Sequence, residues 1–266
     1  MPRLSVNGAE LHYDVQGSGA QTIVFAHGLL WSGEMFAAQV AALRDRYRCI
    51  TFDFRGQGRS EVTAGGYDME TLAADAGALI EALGAVPCHF AGLSMGGFVG
   101  LRLAARRPEL LRSLILLETS ADPEPRENVG KYRMMAWIAR ALGTGLVAGH
   151  VMPIMFGQTF LRDPGRAAQR DALRAQLLAL DRKGVALATR GVIERAPMNA
   201  ELSRIALPVL VIVGEEDVAT PPAKSEALAR GIAGATLVRI PGAGHTSTIE
   251  QPEQVTRAIE TFLAAL

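Results

Sequence analysis

Residues 89–100 read HFAGLSMGGFVG. An apolar run up to Leu93 has the look of a strand buried on both faces, and the pattern from Met95 to Arg106 is helical. Between them Gly92-Leu93-Ser94-Met95-Gly96 matches G-x-S-x-G, which in a strand-to-helix setting marks a tight turn that displays a serine. Two readings compete. Ser94 either caps the helix, a common role for serine, or stands at the carboxyl edge of a sheet as a nucleophile, near the positive end of the following helix. The flanking glycines suit a turn with little room for side chains.

Outward from this turn, strand and helix patterns alternate. TIVFAHG, CITFDF, HFAGLS, LILLE, VLVIVG and TLVRI are short apolar runs, and helical patterns cover Gly33 to Arg44, Asp68 to Leu83, Met95 to Arg106, Pro222 to Ile232 and Pro252 to Leu266. Such alternation predicts an α/β fold with a mostly parallel sheet covered on both faces. The N-terminal segment alternates apolar and polar residues around Asn7-Gly8 and predicts a β-hairpin.

One gap breaks the rhythm. From Ala121 to Ile205 there is no strand pattern, only helical ones in KYRMMAWIARAL, LVAGHVMPIMFG, PGRAAQRDALRAQLLAL and GVALATRGVIERA. An insertion this long predicts a helical cap rather than a loop. The expected division is therefore a core over 1–120, a cap over 121–205 and the rest of the core over 206–266. Met134, Met135, Trp137, Met152, Met155, Phe156 and Phe160 are expected chiefly to form the cap's own core, with some apolar side chains left facing the serine.

A serine hydroxyl needs a base, and the base an orienting acid. Of five histidines, His12, His89 and His150 fall in a hairpin, at a strand entry and in the cap. His27 follows a buried strand, which suits loop shaping. His245 lies in IPGAGHTSTIE, a glycine-containing loop after the last strand, at the sheet edge where open α/β folds gather ligands. The acid candidates follow VLVIVG in GEEDVATPP: Glu215, Glu216 and Asp217. Loop position and chain order favour Asp217.

With FAHGLLWSGEMF, FDFRGQGRS, GLSMGG, GEEDVATPP and PGAGHTSTIEQPEQV in this order, the chain resembles the α/β-hydrolase superfamily over nearly its whole length. Within it, the chain is most similar to compact capped bacterial esterases, enol-lactonases and cofactor-free perhydrolases. The resemblance implies an α/β-hydrolase fold, a Ser94–His245–Asp217 triad, an acyl-serine intermediate and no metal or cofactor. It also implies an oxyanion hole from the backbone N–H groups of Leu29 and Met95. Asp53 and Arg55 in FDFRGQGRS read as turn anchors. Trp31, where relatives often carry proline or another aromatic residue nearby, either lines the acyl pocket or packs under the cap. The branch of haloalkane dehalogenases carries aspartate where this chain has Ser94. Carbon–carbon bond hydrolysis, perhydrolysis and a receptor built on the same scaffold are the alternatives to an ester or lactone hydrolase.

Composition narrows the partners. Lysine plus arginine and aspartate plus glutamate each total 27, so formal net charge is zero, with no global pull toward nucleic acid or anionic membrane. The expected partner is a small, uncharged acyl compound. No run reaches bilayer length and no signal-peptide pattern opens the chain, so the cytoplasm is the expected compartment. Cys49 and Cys88 sit in predicted buried strands and read as structural. There is no H-E-x-x-H, P-loop or G-x-G-x-x-G pattern, and no motif bears on oligomeric state.

Overall fold

A computed structural model describes residues 2–266. Eight strands form one sheet: β1 (Arg3–Val6), β2 (Ala9–Gln16), β3 (Thr22–Ala26), β4 (Arg48–Phe52), β5 (Cys88–Leu93), β6 (Leu111–Leu117), β7 (Val209–Gly214) and β8 (Thr236–Ile240). Their spatial order is β1-β2-β4-β3-β5-β6-β7-β8. β1 and β2 pair antiparallel, as do β2 and β4, and every pairing from β4 to β8 is parallel. The hairpin turn uses Asn7 (φ 47°) and Gly8 (φ 76°), the left-handed pair that a tight two-residue connection demands. β3, β5 and β7 are buried at every position, which accounts for their unbroken apolar runs.

Helices cover both faces. α2 (Met69–Ala82), α3 (Met95–Arg106) and α9 (Pro222–Gly231) supply one apolar cluster; α1 (Ala37–Leu43) and α11 (Pro252–Ala264) supply the other. The chain thus leaves β3 toward one face and β5 toward the opposite face. A crevice opens where two such neighbours diverge, at their carboxyl ends, and this is where ligands bind in open α/β sheets.

Between β6 and β7 the described residues hold no strand. They form α4 (Arg126–Leu142), α5 (Gly145–Met155), α6 (Gln158–Arg162), α7 (Ala167–Leu178) and α8 (Arg182–Ile193), with short 3₁₀ turns. The apolar residues here divide differently from expectation. Met152, Phe156 and Phe160 join the cluster that includes Trp31, Phe36 and the buried faces of β3 and β5. Met134 and Trp137 are 58% and 60% exposed, so they are not core residues. The reason is that α4 packs against α5 and α8 and buries only Ala139, leaving much of its surface to solvent. A further short helix, α10 (Ser247–Glu250), precedes α11. Among the described residues no helix is long and apolar enough to cross a membrane.

Candidate active site

The register of the sheet sets the site. Ala26 of β3 lies opposite Gly92 of β5, so Gly28 and Ser94 both stand two residues beyond the same rung. A Cβ on Gly28 would lie 3.5 Å from that of Ser94. The turn itself is tight enough to dictate its glycines. A Cβ on Gly92 would come within 2.3 Å of the Gly96 carbonyl oxygen, and one on Gly96 within 2.0 Å of the Ala26 carbonyl oxygen. Ser94 adopts φ 51°, ψ −107°, a left-handed region that costs an L-residue about 1–3 kcal/mol. Its backbone is held there by Ser94 N donating to Leu117 O at 2.8 Å and by the Thr119 hydroxyl donating to Ser94 O at 2.9 Å.

The Ser94 hydroxyl makes no capping bond to α3. It instead lies 2.9 Å from His245 Nε2. On the other side of the ring, His245 Nδ1 is 2.9 Å from Asp217 Oδ2. Asp217 Oδ2 also accepts from the Thr220 hydroxyl at 2.8 Å, and Oδ1 accepts from the backbone N–H groups of Ala219 (2.8 Å) and Thr220 (3.0 Å). A carboxylate that only accepts places the ring proton on Nδ1, leaving Nε2 free to accept from Ser94. All three residues are buried. The other two acid candidates point elsewhere: Glu215 is exposed, and Glu216 accepts from the Thr159 N–H and hydroxyl.

The loop bearing His245 is fixed by a residue that sequence reasoning missed. Glu250, on α10, accepts from Gly157 N (2.8 Å), Gly244 N (3.0 Å), Thr246 N (3.1 Å) and the Thr246 hydroxyl (3.0 Å). Burial pushes its carboxyl above the ordinary range, against those hydrogen bonds. Its only signal was an acidic residue in HTSTIE. Glu118, at the end of LILLE, was missed as well. It is fully buried at φ 43°, accepts from Gly214 N at 3.2 Å through Oε1, and leaves Oε2 without a hydrogen bond. Burial, then the charges of Asp217 and Glu250, hold its carboxyl well above the usual value.

Leu29 N and Met95 N have no acceptor among the described residues, whereas Leu30 N is taken by Gln57 Oε1 at 2.7 Å. The two free donors flank Ser94 in sequence and across the β3–β5 crevice. His27 holds the loop between them. Its Nε2 accepts from Phe54 N at 2.9 Å and its Nδ1 donates to Gly28 O at 2.7 Å. Burial lowers its pKa, with Asp53 opposing, and both ring nitrogens are occupied, so it has no atom left for proton transfer. Asp53 accepts from Gly33 N and Arg59 N, and Arg55 grips Asp75 through two bonds of 2.7 and 2.6 Å. Both act as turn anchors.

Above Ser94 lies a cavity of about 140 Å³ lined almost wholly by apolar side chains, among them Trp31, Met135, Val147 and Met155. Trp31 satisfies both of its readings: it lines this cavity and packs edge-on against Phe156 at 5.7 Å. The wall also carries an ion pair, Arg195 with Glu124 at 2.8 Å, beside Tyr132. Cys49 and Cys88 are buried free thiols, pushed by burial up to about 11 and about 12. Among the described residues no cluster of side chains could hold a metal ion.

A family model described as alpha/beta hydrolase fold matches residues 21–252. The chain belongs to the alpha/beta hydrolase fold family. Among solved structures, this alpha/beta hydrolase is similar to a thermophilic esterase from Thermogutta terrifontis, with 33% identity, a TM-score of 0.92 and coverage of 100% of this chain and 99% of that one. It is equally similar to the enol-lactonase from Burkholderia xenovorans LB400, with 33% identity, a TM-score of 0.92 and coverage of 99% and 100%. A sequence relative named for carbamate hydrolysis, RutD of Pseudomonas syringae pv. syringae, is 30% identical across 94% of this chain and 96% of its own length.

Proposed function

We propose that this protein is a serine hydrolase that cleaves a carboxylic ester or lactone through an acyl-serine intermediate. The carrying observation is the continuous chain from Ser94 Oγ through His245 to Asp217, with bonds of 2.9 Å on each side of the ring, set below an apolar cavity and beside two unpaired backbone N–H groups. The names of the esterase and enol-lactonase relatives support the choice of substrate class.

In this reading Ser94 Oγ attacks the carbonyl carbon while its proton passes to His245 Nε2. The carbonyl oxygen takes the negative charge and accepts from Leu29 N and Met95 N; one such donor contributes about 3–4 kcal/mol to the transition state. Asp217 orients the ring and stabilises the imidazolium. The C–O bond to the alcohol then breaks, and the alcohol leaves with the Nε2 proton. Water attacks the acyl-serine, gives one proton to Nε2, and Ser94 regains it as the acid departs.

Labelling with a fluorophosphonate, followed by peptide mapping, tests the assignment. The expected result is one adduct, on Ser94, with parallel loss of ester turnover. Labelling elsewhere with turnover retained would overturn the nucleophile, and turnover confined to carbamates would overturn the ester or lactone class.

A further inference from the structure

Arg195 is the one charged residue with a guanidinium on the cavity wall, and its side chain is only 5% exposed. A guanidinium carries five N–H donors in a fixed plane. Nε donates to Asp122 O at 3.1 Å, and Nη1 donates to Glu124 Oε2 and Val192 O, each at 2.8 Å. Both N–H groups of Nη2 have no acceptor among the described residues. The phenol of Tyr132, on α4, is likewise without a hydrogen bond. Burial and the neighbouring Glu124 raise its pKa, so it remains a donor.

Two contacts place this edge near the chemistry. The Arg195 guanidinium carbon lies 4.3 Å from the centre of the Phe98 ring, and Phe98 N donates to Ser94 O at 3.0 Å. Phe98 lies four positions after Ser94 along the chain, a helical rise of about 6 Å. Phe98, Glu124, Tyr132 and Arg195 line the same cavity as Ser94, so the free donors and the Ser94 hydroxyl face one space.

We propose that Arg195 Nη2 and the Tyr132 hydroxyl form a polar subsite for an uncharged hydrogen-bond acceptor, a keto or ether oxygen, carried on the acyl group three or four atoms from the scissile carbonyl. Both donors face the cavity without a protein acceptor, so a substrate oxygen set against them gains hydrogen bonds that an apolar acyl chain does not. The acceptor is uncharged because Glu124, whose side chain is 10% exposed, already neutralises the guanidinium. Its other oxygen is held by Asn128 Nδ2 at 3.2 Å. A substrate carboxylate placed there would be repelled by the Glu124 carboxylate. The inference rests on the acyl-serine reading for its geometry.

The test compares kcat/KM for ethyl pentanoate, ethyl 4-oxopentanoate and monoethyl succinate, following released acid by titration. The expected order in the wild-type enzyme is the keto ester about tenfold above ethyl pentanoate, with the anionic ester below both. Glu124→Gln should free the positive charge and raise the succinate-to-pentanoate ratio at least about tenfold. The Glu124→Gln, Arg195→Gln double variant should bring the keto-to-pentanoate ratio close to one. A wild-type ratio of one or less for the keto ester overturns the subsite, as does a wild-type preference for the succinate ester; neither depends on a variant folding. If no ester is turned over and Ser94 resists fluorophosphonate, the acyl-serine reading has failed by itself. Calorimetric binding of the same esters then decides the subsite: tighter binding of the keto ester sustains it and equal affinity overturns it.

Discussion

At the sheet edge, the polar side chains that converge on Ser94 have partners on every side. Asp217 accepts from two backbone N–H groups, a hydroxyl and the imidazole, and the His245 loop is pinned by three bonds to Glu250, which holds Gly157 by a fourth. Across the cavity, the helices of 126–193 present mainly apolar side chains, and Arg195 leaves two of its donors open. On the proposed reading, the first region is preorganised for one proton path. On the same reading, the second selects by volume and by a single polar edge. Catalytic groups must hold position to within a fraction of an ångström, which requires satisfied hydrogen bonds, whereas an apolar wall needs only shape.

Breaking the preorganised side should produce the largest change. Ser94→Ala and His245→Ala are each expected to lower kcat by about 10³ to 10⁶, because the three groups act as a unit, while circular dichroism and thermal melting remain near wild type. Next in size, Asp217→Asn should cost about 10⁴ in kcat. Glu216→Gln, which loses only its hold on Thr159, should stay within about tenfold. The opposite ranking in steady-state kinetics would transfer the orienting role to Glu216.

The selecting side should respond more gently. An apolar cavity of about 150 Å³ holds a benzene-sized molecule, and this one measures about 140 Å³. Each buried methylene contributes about 0.8 kcal/mol. For p-nitrophenyl esters, kcat/KM should therefore rise up to about fourfold per carbon, peak near four to six acyl carbons and then fall. A profile flat from acetate to decanoate would remove the cavity as the selector.

The smallest expected effect concerns Glu118, which belongs to neither list of reacting groups. Its carboxyl is raised in the folded protein, first by burial and then by Asp217 and Glu250. The unfolded chain releases this proton near the ordinary value of 4.5; the folded protein keeps it to higher pH. Folded protein therefore binds more protons above that point, and Glu118 contributes stability that is present at low pH and is lost as pH rises toward its folded pKa. Glu118→Gln mimics the protonated side chain. In urea titrations at several pH values, the variant should lose less stability than wild type as pH rises above the ordinary carboxyl value of 4.5. Parallel curves would show that Glu118 is ionised in the fold.

Much of the sheet-edge region was legible from residue order. The strand runs of β3, β5 and β7 are continuous because both faces are buried, so apolar content alone marks them. Gly92 and Gly96 frame Ser94 because any Cβ there would strike backbone. The order Ser94, Asp217, His245 follows from which strand ends carry which loops. The helical region was less legible. Met134 and Trp137 are as apolar as Met152 and Phe156, yet the first pair faces solvent and the second enters the main core. Helical periodicity says that a face is apolar, not what it packs against.

Sequence by itself determined the family, the parallel sheet, the serine turn and the order of its partners, since each depends on local backbone demands repeated at fixed spacing. Only the tertiary structure decided that Ser94 bonds to His245 instead of capping α3, that Asp217 and not Glu216 reaches the ring, and that Glu250 and Glu118 stand behind them. It alone paired Arg195 with Glu124, 71 residues apart in the chain, and left Nη2 open. Those outcomes depend on which side chains the fold brings within 3 Å of one another and shields from water, and neither distance nor burial between remote segments is written in local pattern.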